Sequence, residues 1–383
     1  METTAAALRG SPRPNRQDSM SEKKKQHFVP RFYLKIFSNH GNNRSIGLWN
    51  IPGQKYVKEA NIKGQAYGIF FYGKDLVIEG GLEILDTGAS VIFKKIMALK
   101  ALPPPGTEMD LGLRVYIMLQ AERTKQAADE TDEMFDKVYK AIFSKDSRFK
   151  DSLKDVRIGI EQPAAFHLSM AARLVPLTYD LAIKLVCNCT EREFITSDNP
   201  AAKYNQFLEG RNWPGGHFGW SVPGIQLFFP LSPRLYIIMY DGLVYKIGDR
   251  AQRVIELNNI KDVESLNSLQ FLNAKENLYF GSGIQEHYIR EMHKQNLNRR
   301  RAQRVAVRQY KQISPKPRGE RYLLAMGRRD IRMKLSLSFC KLTKQAKRRD
   351  LGNKAAVARS PKIQKLVDLM EEADKQESRR TPE

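Results

Sequence analysis

The spacing of apolar and polar positions changes period twice along the chain. Ser45-Ile46-Gly47-Leu48-Trp49-Asn50-Ile51 alternates as a half-buried strand does, Pro52-Gly53 is a turn dipeptide, and residues 54–60 can return antiparallel, so a hairpin is predicted. The period then lengthens. A helix is expected over 79–102, stopped by Pro103-Pro104-Pro105-Gly106, and one long helix over about 108–144, where Leu111, Val115, Met118 and Leu119 recur at helical spacing behind a Thr107 or Asp110 cap. A third helix is expected over 163–180, with a kink or stop at Pro176.

Alternation returns after that point. Residues 184–190 and 193–197 read as paired strands, and 227–229, 234–240 and 243–247 as three more, joined at Pro230-Leu231-Ser232-Pro233 and Asp241-Gly242. A helix over 261–275 and a short strand over 278–281 complete this part. The predicted class is α+β: a helical segment packed on a mainly antiparallel sheet, followed by a basic helical tail. The expected organisation is a disordered basic N-terminal segment (1–26), an α+β core (27–282) and a helical or partly disordered tail (283–383), with breaks at Pro315-Lys316-Pro317-Arg318-Gly319 and Ser360-Pro361.

Charge sharpens this division. The net charge is +22, and residues 296–383 hold 25 Lys and Arg against 9 Asp and Glu. That leaves residues 27–295 close to neutral. The longest apolar run, 235–240, is strand-length, so no membrane insertion is expected. Residues 1–26 lack a secretory pattern, and Met20 is an alternative start. Three cysteines without a CxxC pair fit a cytoplasmic, reducing compartment, with Cys187 and Cys189 expected as buried thiols on one strand face.

Four segments carry candidate chemistry. His27 precedes Phe28-Val29-Pro30-Arg31-Phe32-Tyr33, where Pro30 suits a first helical turn; it reads either as a general acid/base or ligand, or as a capping or core histidine. Asp198 and Asn199 end the apolar strand Phe194-Ile195-Thr196-Ser197, a place where a rigid strand aims a catalytic carboxylate or an Asx-turn satisfies the backbone. Gln120, Arg123 and Thr124 share a helix face, fit either to orient an anion or to face solvent. In the tail, Arg299, Arg300, Arg301, Arg304 and Arg308 fall on an expected helix with Val305, Val307 and Tyr310, and Arg328, Arg329, Lys347, Arg348 and Arg349 continue the positive face. Such a density binds phosphate backbones through counterion release without reading bases; a solubilising arm is the alternative.

Six histidines without HExxH or HxH pairing assign no metal, and no cofactor is assigned. Phosphate-cradling GxxxxGK[ST] and GxGxxG motifs and the GxSxG elbow are absent from the sequence.

Taken in order, these segments resemble a bacterial domain-of-unknown-function family, number 4238. His27, Pro30, Tyr33, Leu34 and Phe37 match its opening motif, Ile78-Glu79 its helix start, and Gln120, Arg123 and Thr124 its Gln-x-x-Arg-Thr helix. Residues 194–200, Pro230 to Pro233, and Asn267 with Ala274 match later motifs, so the resemblance spans about residues 27–282. The resemblance adds weight to His27, Arg123 and Asp198 but brings no activity with it; Asn267 joins Gln120, Thr124 and Asn199 as a binding candidate. Gly80-Gly81 and Gly88 depart from a strong helix, each costing about 1 kcal/mol. The basic tail is not part of the family pattern.

Two functions follow as expectations. One is a hydrolase acting on a phosphate-containing substrate, with a nuclease as one form of it, in which His27 is acid/base, Asp198 its partner, Arg123 stabilises phosphate charge, and the tail delivers nucleic acid. The other is a non-catalytic nucleic-acid-binding or accessory module of mobile-element or phage-defence type.

Overall fold

The structure, a computed structural model, describes residues 24–144, 148, 152–211, 213, 216–217, 219–300, 305–312, 321–328, 331, 333–352 and 357–380. The chain opens with a short strand β1 (Lys25–His27) and helix α1 (Arg31–Ile36), entered through Pro30. The predicted hairpin follows as β2 (Ser45–Asn50) and β3 (Lys55–Asn61), and then β4 (Tyr67–Ile69) pairs back onto β1.

The helical part begins with α2 (Val77–Leu99), which runs straight through its three glycines because all three lie exposed with open space around them. The single helix expected over 108–144 is two helices, α3 (Glu108–Glu122) and α4 (Lys125–Phe143). The break is local chemistry. Thr124 adopts extended backbone and its Oγ1 accepts the Ala127 N–H at 3.3 Å, starting a new helix without any Pro or Gly. Thr107 caps α3 in the same way through the Asp110 N–H. Helix α5 (Pro163–Ala172) is shorter than expected, and a 3-10 turn at Val175–Thr178 follows it.

The sheet region comprises β5 (Ala182–Asn188), β6 (Thr196–Ser197), β7 (Ala202–Tyr204), a short helix α6 (Gln206–Glu209), β8 (Gln226–Pro230), β9 (Leu235–Tyr240), β10 (Tyr245–Ile247) and β11 (Val254–Leu257). A five-stranded sheet has the order β11-β5-β9-β8-β7, antiparallel except for the β11–β5 edge pair. The expected pairing of 184–190 with 193–197 does not form: β5 lies between β9 and β11. Instead β6 joins β12 (Asn277–Phe280), which leads on to the hairpin in the order β3-β2-β12-β6. Helix α7 (Ile260–Asn273) precedes β12, and α8 (Glu286–Asn296) follows.

Every residue of β9 is buried because both sheet faces are covered. Leu235, Ile237 and Met239 pack with α1, α2, α3 and α5, while Tyr236, Ile238 and Tyr240 pack with Val263, Leu266 and Leu269 of α7. A third cluster joins Trp49, Leu278 and Phe280 to Phe271 and Ile289. Cys187 is half-buried, but Cys189 is exposed, contrary to expectation, since β5 ends at Asn188 and releases the chain before alternation repeats.

Beyond α8 the chain is built into these layers. The helix expected through Arg299–Lys311 is instead β13 (Val305–Gln312), paired antiparallel with β14 (Arg321–Arg328). Val305 and Val307 there alternate with period two, and β-branched residues favour a strand. Strand β15 (Cys340–Leu342) pairs with β10, helix α9 (Lys344–Arg348) follows, and α10 (Pro361–Arg380) closes the chain as a C-terminal helix. Leu335, Leu337 and Ala346 enter the second cluster and Ile363 the first. No helix among the described residues is long and apolar enough to cross a membrane.

Candidate functional site

The residues singled out from sequence take up specific partners. Asp198 lies directly after β6, 5 % exposed, and its carboxylate accepts the backbone N–H groups of Lys275 (2.8 Å), Glu276 (2.7 Å) and Asn277 (3.0 Å) in the turn between α7 and β12. Burial pushes its pKa up and those three donors oppose the shift. Asn199 donates to the Asn273 carbonyl and to Gln126 Oε1, both at 3.1 Å, while Asn273 donates back to the Asn199 carbonyl at 2.6 Å. Asn267 accepts the Ile195 N–H at 3.0 Å and donates to the Glu193 carbonyl at 2.9 Å. Between them Gln270 donates to the Pro200 carbonyl at 2.7 Å. Asn267, Gln270 and Asn273 recur every three residues on α7, so one helix face of amides clamps the 193–200 segment.

A second cluster surrounds Arg123. Its guanidinium donates to Gln120 Oε1 (2.7 Å) and to Asp86 on α2 (2.7 Å), and lies 5.4 Å from the centroid of the Tyr116 ring. Gln120 in turn donates to the Phe28 carbonyl at 3.0 Å, and Tyr72 Oη donates to the Arg123 carbonyl at 2.7 Å. Thr124 is occupied as the α4 cap. Glu79 borders this cluster, and burial, then the neighbouring Asp86, raises its pKa to about 7.

His27 pairs across β1–β4 with Tyr67, and burial, reinforced by Arg31, lowers its pKa to about 4. Its imidazole is therefore neutral at neutral pH. The structure brings Gln120 and Arg123 together, and Asp198, Asn199 and Asn267 together through α7. No hydrogen bond among the described residues links the side chains of His27, Arg123 and Asp198 to one another. Asp198 holds the turn before β12 and Arg123 joins α2 to α3, while His27 Nε2 and Arg123 Nη1 are buried without a hydrogen-bond partner among the described residues.

Of the tail residues, Arg300 caps the end of α7 by donating to the carbonyls of Phe271 (3.1 Å) and Lys275 (2.8 Å), and Arg299 ends the 3-10 turn after α8. Lys347 and Arg348 close α9, and Arg349 follows it. Arg328 ends β14, whereas Arg301, Arg304 and Arg329 lie outside the described residues.

The convergent polar chemistry in a concave site lies elsewhere. Glu122, the last residue of α3 and 3 % exposed, receives His167 Nε2 from α5 at 2.6 Å on one carboxylate oxygen and Lys203 Nζ from β7 on the other. His167 Nδ1 meets Thr131 Oγ1 of α4 at 2.8 Å, and that hydroxyl also reaches the Ala127 carbonyl at 2.9 Å. The Lys203 ammonium sits 4.8 Å from the centroid of the Trp220 ring. These groups line a cavity of about 450 Å³ with mainly apolar walls, among them Met170, Leu174 and, from α10, Met370 and Ala373. Arg173 stands at its rim, bonded to Asp374 (2.7 Å) and Glu377 (2.9 Å) of α10.

Thr131, His167 and Glu122 form a continuous hydrogen-bonded chain in which the imidazole bridges a hydroxyl and a carboxylate. Lys203 supplies a cation beside the same carboxylate, next to the apolar walls of the cavity. Among the described residues no group of three or more His, Cys, Asp and Glu is placed to hold a metal ion.

Sequence reasoning passed over these three residues. Glu122 lies inside the Gln120–Thr124 segment but was hidden between its motif neighbours, His167 has no local pattern, and Lys203 stands five residues beyond Asp198. The available signal was the polar grouping itself.

The family model described as "Protein of unknown function (DUF4238)" matches residues 25–283, about two thirds of the chain. The chain belongs to the DUF4238 family. No curated protein and no solved structure matches it. Glu122, Thr131, His167, Lys203 and Trp220 all fall within the DUF4238 region, whereas the α10 wall of the cavity lies beyond it. The matched region thus contains the Asp198 and Arg123 clusters as well as the Glu122–His167–Lys203 grouping.

Proposed function

We propose that this DUF4238 protein is a cytoplasmic hydrolase of phosphate-containing substrates, with nucleic acid as the substrate to test first, acting at the Glu122–His167–Lys203 pocket and binding nucleic acid through its basic tail. The observation that carries the proposal is the two-sided grip on Glu122, by an imidazole and an ammonium, inside an apolar cavity. An arriving phosphoryl group competes with Glu122 for Lys203. Lys203 and Arg173 then offset the charge on the phosphoryl oxygens. Released from Lys203, Glu122 accepts a proton from the attacking water while His167 holds and stabilises the carboxylate. The water oxygen bonds to phosphorus, the phosphorus–oxygen bond to the leaving group breaks, and the Lys203 ammonium supplies that oxygen with a proton.

A non-catalytic nucleic-acid-binding or accessory module of mobile-element or phage-defence type is the second reading, favoured by the excess of Lys and Arg in the tail sequence. Incubation of the purified chain with labelled single- and double-stranded DNA and RNA, with and without Mg²⁺, separates the two. Hydrolysis that falls by about 10²–10⁴ in His167→Ala supports the enzyme. Retention of nucleic acid without cleavage supports the module.

A further inference from the structure

A second concave site lies where α9 meets the start of α10. Lys344 and Arg348 project from α9, Arg349 follows it, and Arg359 and Ser360 lead into α10; with Leu243 they line a cleft of about 710 Å³. Its lining holds four cations and no carboxylate. Arg359 is neutralised from behind by Asp180, to which its Nε donates at 2.9 Å. Arg349 is held in place by bonds to the carbonyls of Arg359 (3.2 Å) and Ala358 (3.3 Å), and it shares with Arg359 the field of the buried Asp241 carboxylate. Lys344, Arg348 and Arg349 form no ion pair among the described residues, and Lys344 and Arg348 are exposed.

The position of this cleft relative to the Glu122 pocket is informative. Arg359 donates to the carbonyl of Trp220, whose ring lines the pocket, so the two sites share a wall. Helix α10 spans both, with Pro361 at the cleft and Met370 to Asp374 at the pocket. At 1.5 Å per residue the separation along the helix is about 14–20 Å. A nucleic-acid strand in a duplex advances about 3.4 Å per nucleotide, so that span corresponds to about four to six nucleotides.

We propose that the Lys344–Arg348–Arg349 cleft is a phosphate-binding exosite that holds the backbone of a nucleic acid whose reacting phosphate lies in the Glu122 pocket. The proposal rests on the phosphate-handling role of that pocket, but the exosite is read by binding rather than by turnover. A chain that binds through the cleft without cleaving would therefore remove the catalytic role and leave the cleft's ligand in place. Backbone contacts of this kind add affinity and salt dependence without base selectivity.

The test uses the full chain and a fluorescent duplex of about 12 base pairs, long enough to span both sites. Lys344→Gln/Arg348→Gln removes two exposed cations from the cleft and leaves Arg349, which secures the 358–359 backbone. Lys55→Gln/Lys58→Gln removes the same charge from exposed positions on β3. Binding is measured by polarisation across a salt series. The cleft variant should lose about tenfold in affinity and reduce the salt slope by about 2, while the β3 variant stays near wild type. Equal losses in both variants, or none in the cleft variant, overturn the exosite. Inorganic pyrophosphate provides the second arm: if it raises the melting temperature of wild type but not of the cleft variant, and duplex binding is the same in both, the cleft takes a free phosphorylated molecule and the nucleic-acid assignment falls.

Discussion

Glu122 and Arg123 are neighbours in the chain that serve different clusters: Glu122 is held by His167 of α5 and Lys203 of β7, Arg123 by Gln120 and by Asp86 of α2. The end of α3 therefore feeds two centres at once. The Arg123 side ties α2 to α3 and to the β1 region, whereas the Glu122 side faces a cavity.

Asp198 is the first place to check the structural half of this division. Replacing it with Ala strips the acceptor from three backbone N–H groups in a buried turn. The expected loss is about 3–5 kcal/mol in urea unfolding, with Asp198→Asn milder because one oxygen remains. A loss below about 1 kcal/mol would remove Asp198 as the anchor of the α7–β12 turn.

The His27 imidazole makes a pH-dependent contribution of definite sign. Its folded pKa of about 4 lies below the ordinary histidine value of 6.5, so the unfolded chain takes up a proton first as the pH falls. Stability from this group is full above about pH 6.5 and declines towards pH 4, by of order 3 kcal/mol in total. In His27→Gln this component should vanish, giving a flatter stability curve between pH 4 and 6.5 by equilibrium denaturation.

Glu79 titrates with the opposite consequence. Its folded pKa of about 7 lies above the ordinary value of 4.5, so its contribution is full below 4.5 and is lost as the pH rises through 7, where a second carboxylate charge appears beside Asp86. Glu79→Gln should keep its melting temperature nearly constant from pH 6 to 8.5 while that of wild type falls.

The attachment of α10 is uneven, and its two ends should respond differently. Arg359, 2 % exposed, is bonded to Asp180 and to the carbonyls of Trp220 and Leu177, so Arg359→Leu leaves a carboxylate and two carbonyls without their donor. Arg173, by contrast, is half-exposed and pairs with exposed acids. Arg173→Ala should change global stability by less than about 1 kcal/mol. Limited proteolysis should release α10 readily from the Arg359 variant and only slightly faster than wild type from the Arg173 variant.

What the sequence displayed was local. The β2–β3 hairpin, the Pro30 entry to α1 and the existence of α2 ahead of the Pro103–Pro105 stop were legible because turn residues and helix breakers act between near neighbours. The break at Thr124 was missed since apolar spacing continues across it and only a cap marks it. Strand β5 was given the wrong partner because pairing with β9 and β11 depends on long-range packing that alternation does not encode. In the tail, charge masked the alternation of β13. The site followed the same rule: Gln120 and Arg123 stand close in sequence, whereas the Glu122–His167–Lys203 grouping draws on α3, α5 and β7 and exists only once these elements have packed.

The most direct test of the central claim is the hydrolysis rate of Glu122→Gln beside His27→Gln, each first shown to be folded, on labelled nucleic acid. The amide keeps the shape of Glu122 but cannot take a proton, so its rate should drop at least about a hundredfold while His27→Gln stays within a few-fold of wild type. Full activity in Glu122→Gln, with activity lost in His27→Gln, would contradict the account and return the catalytic role to His27.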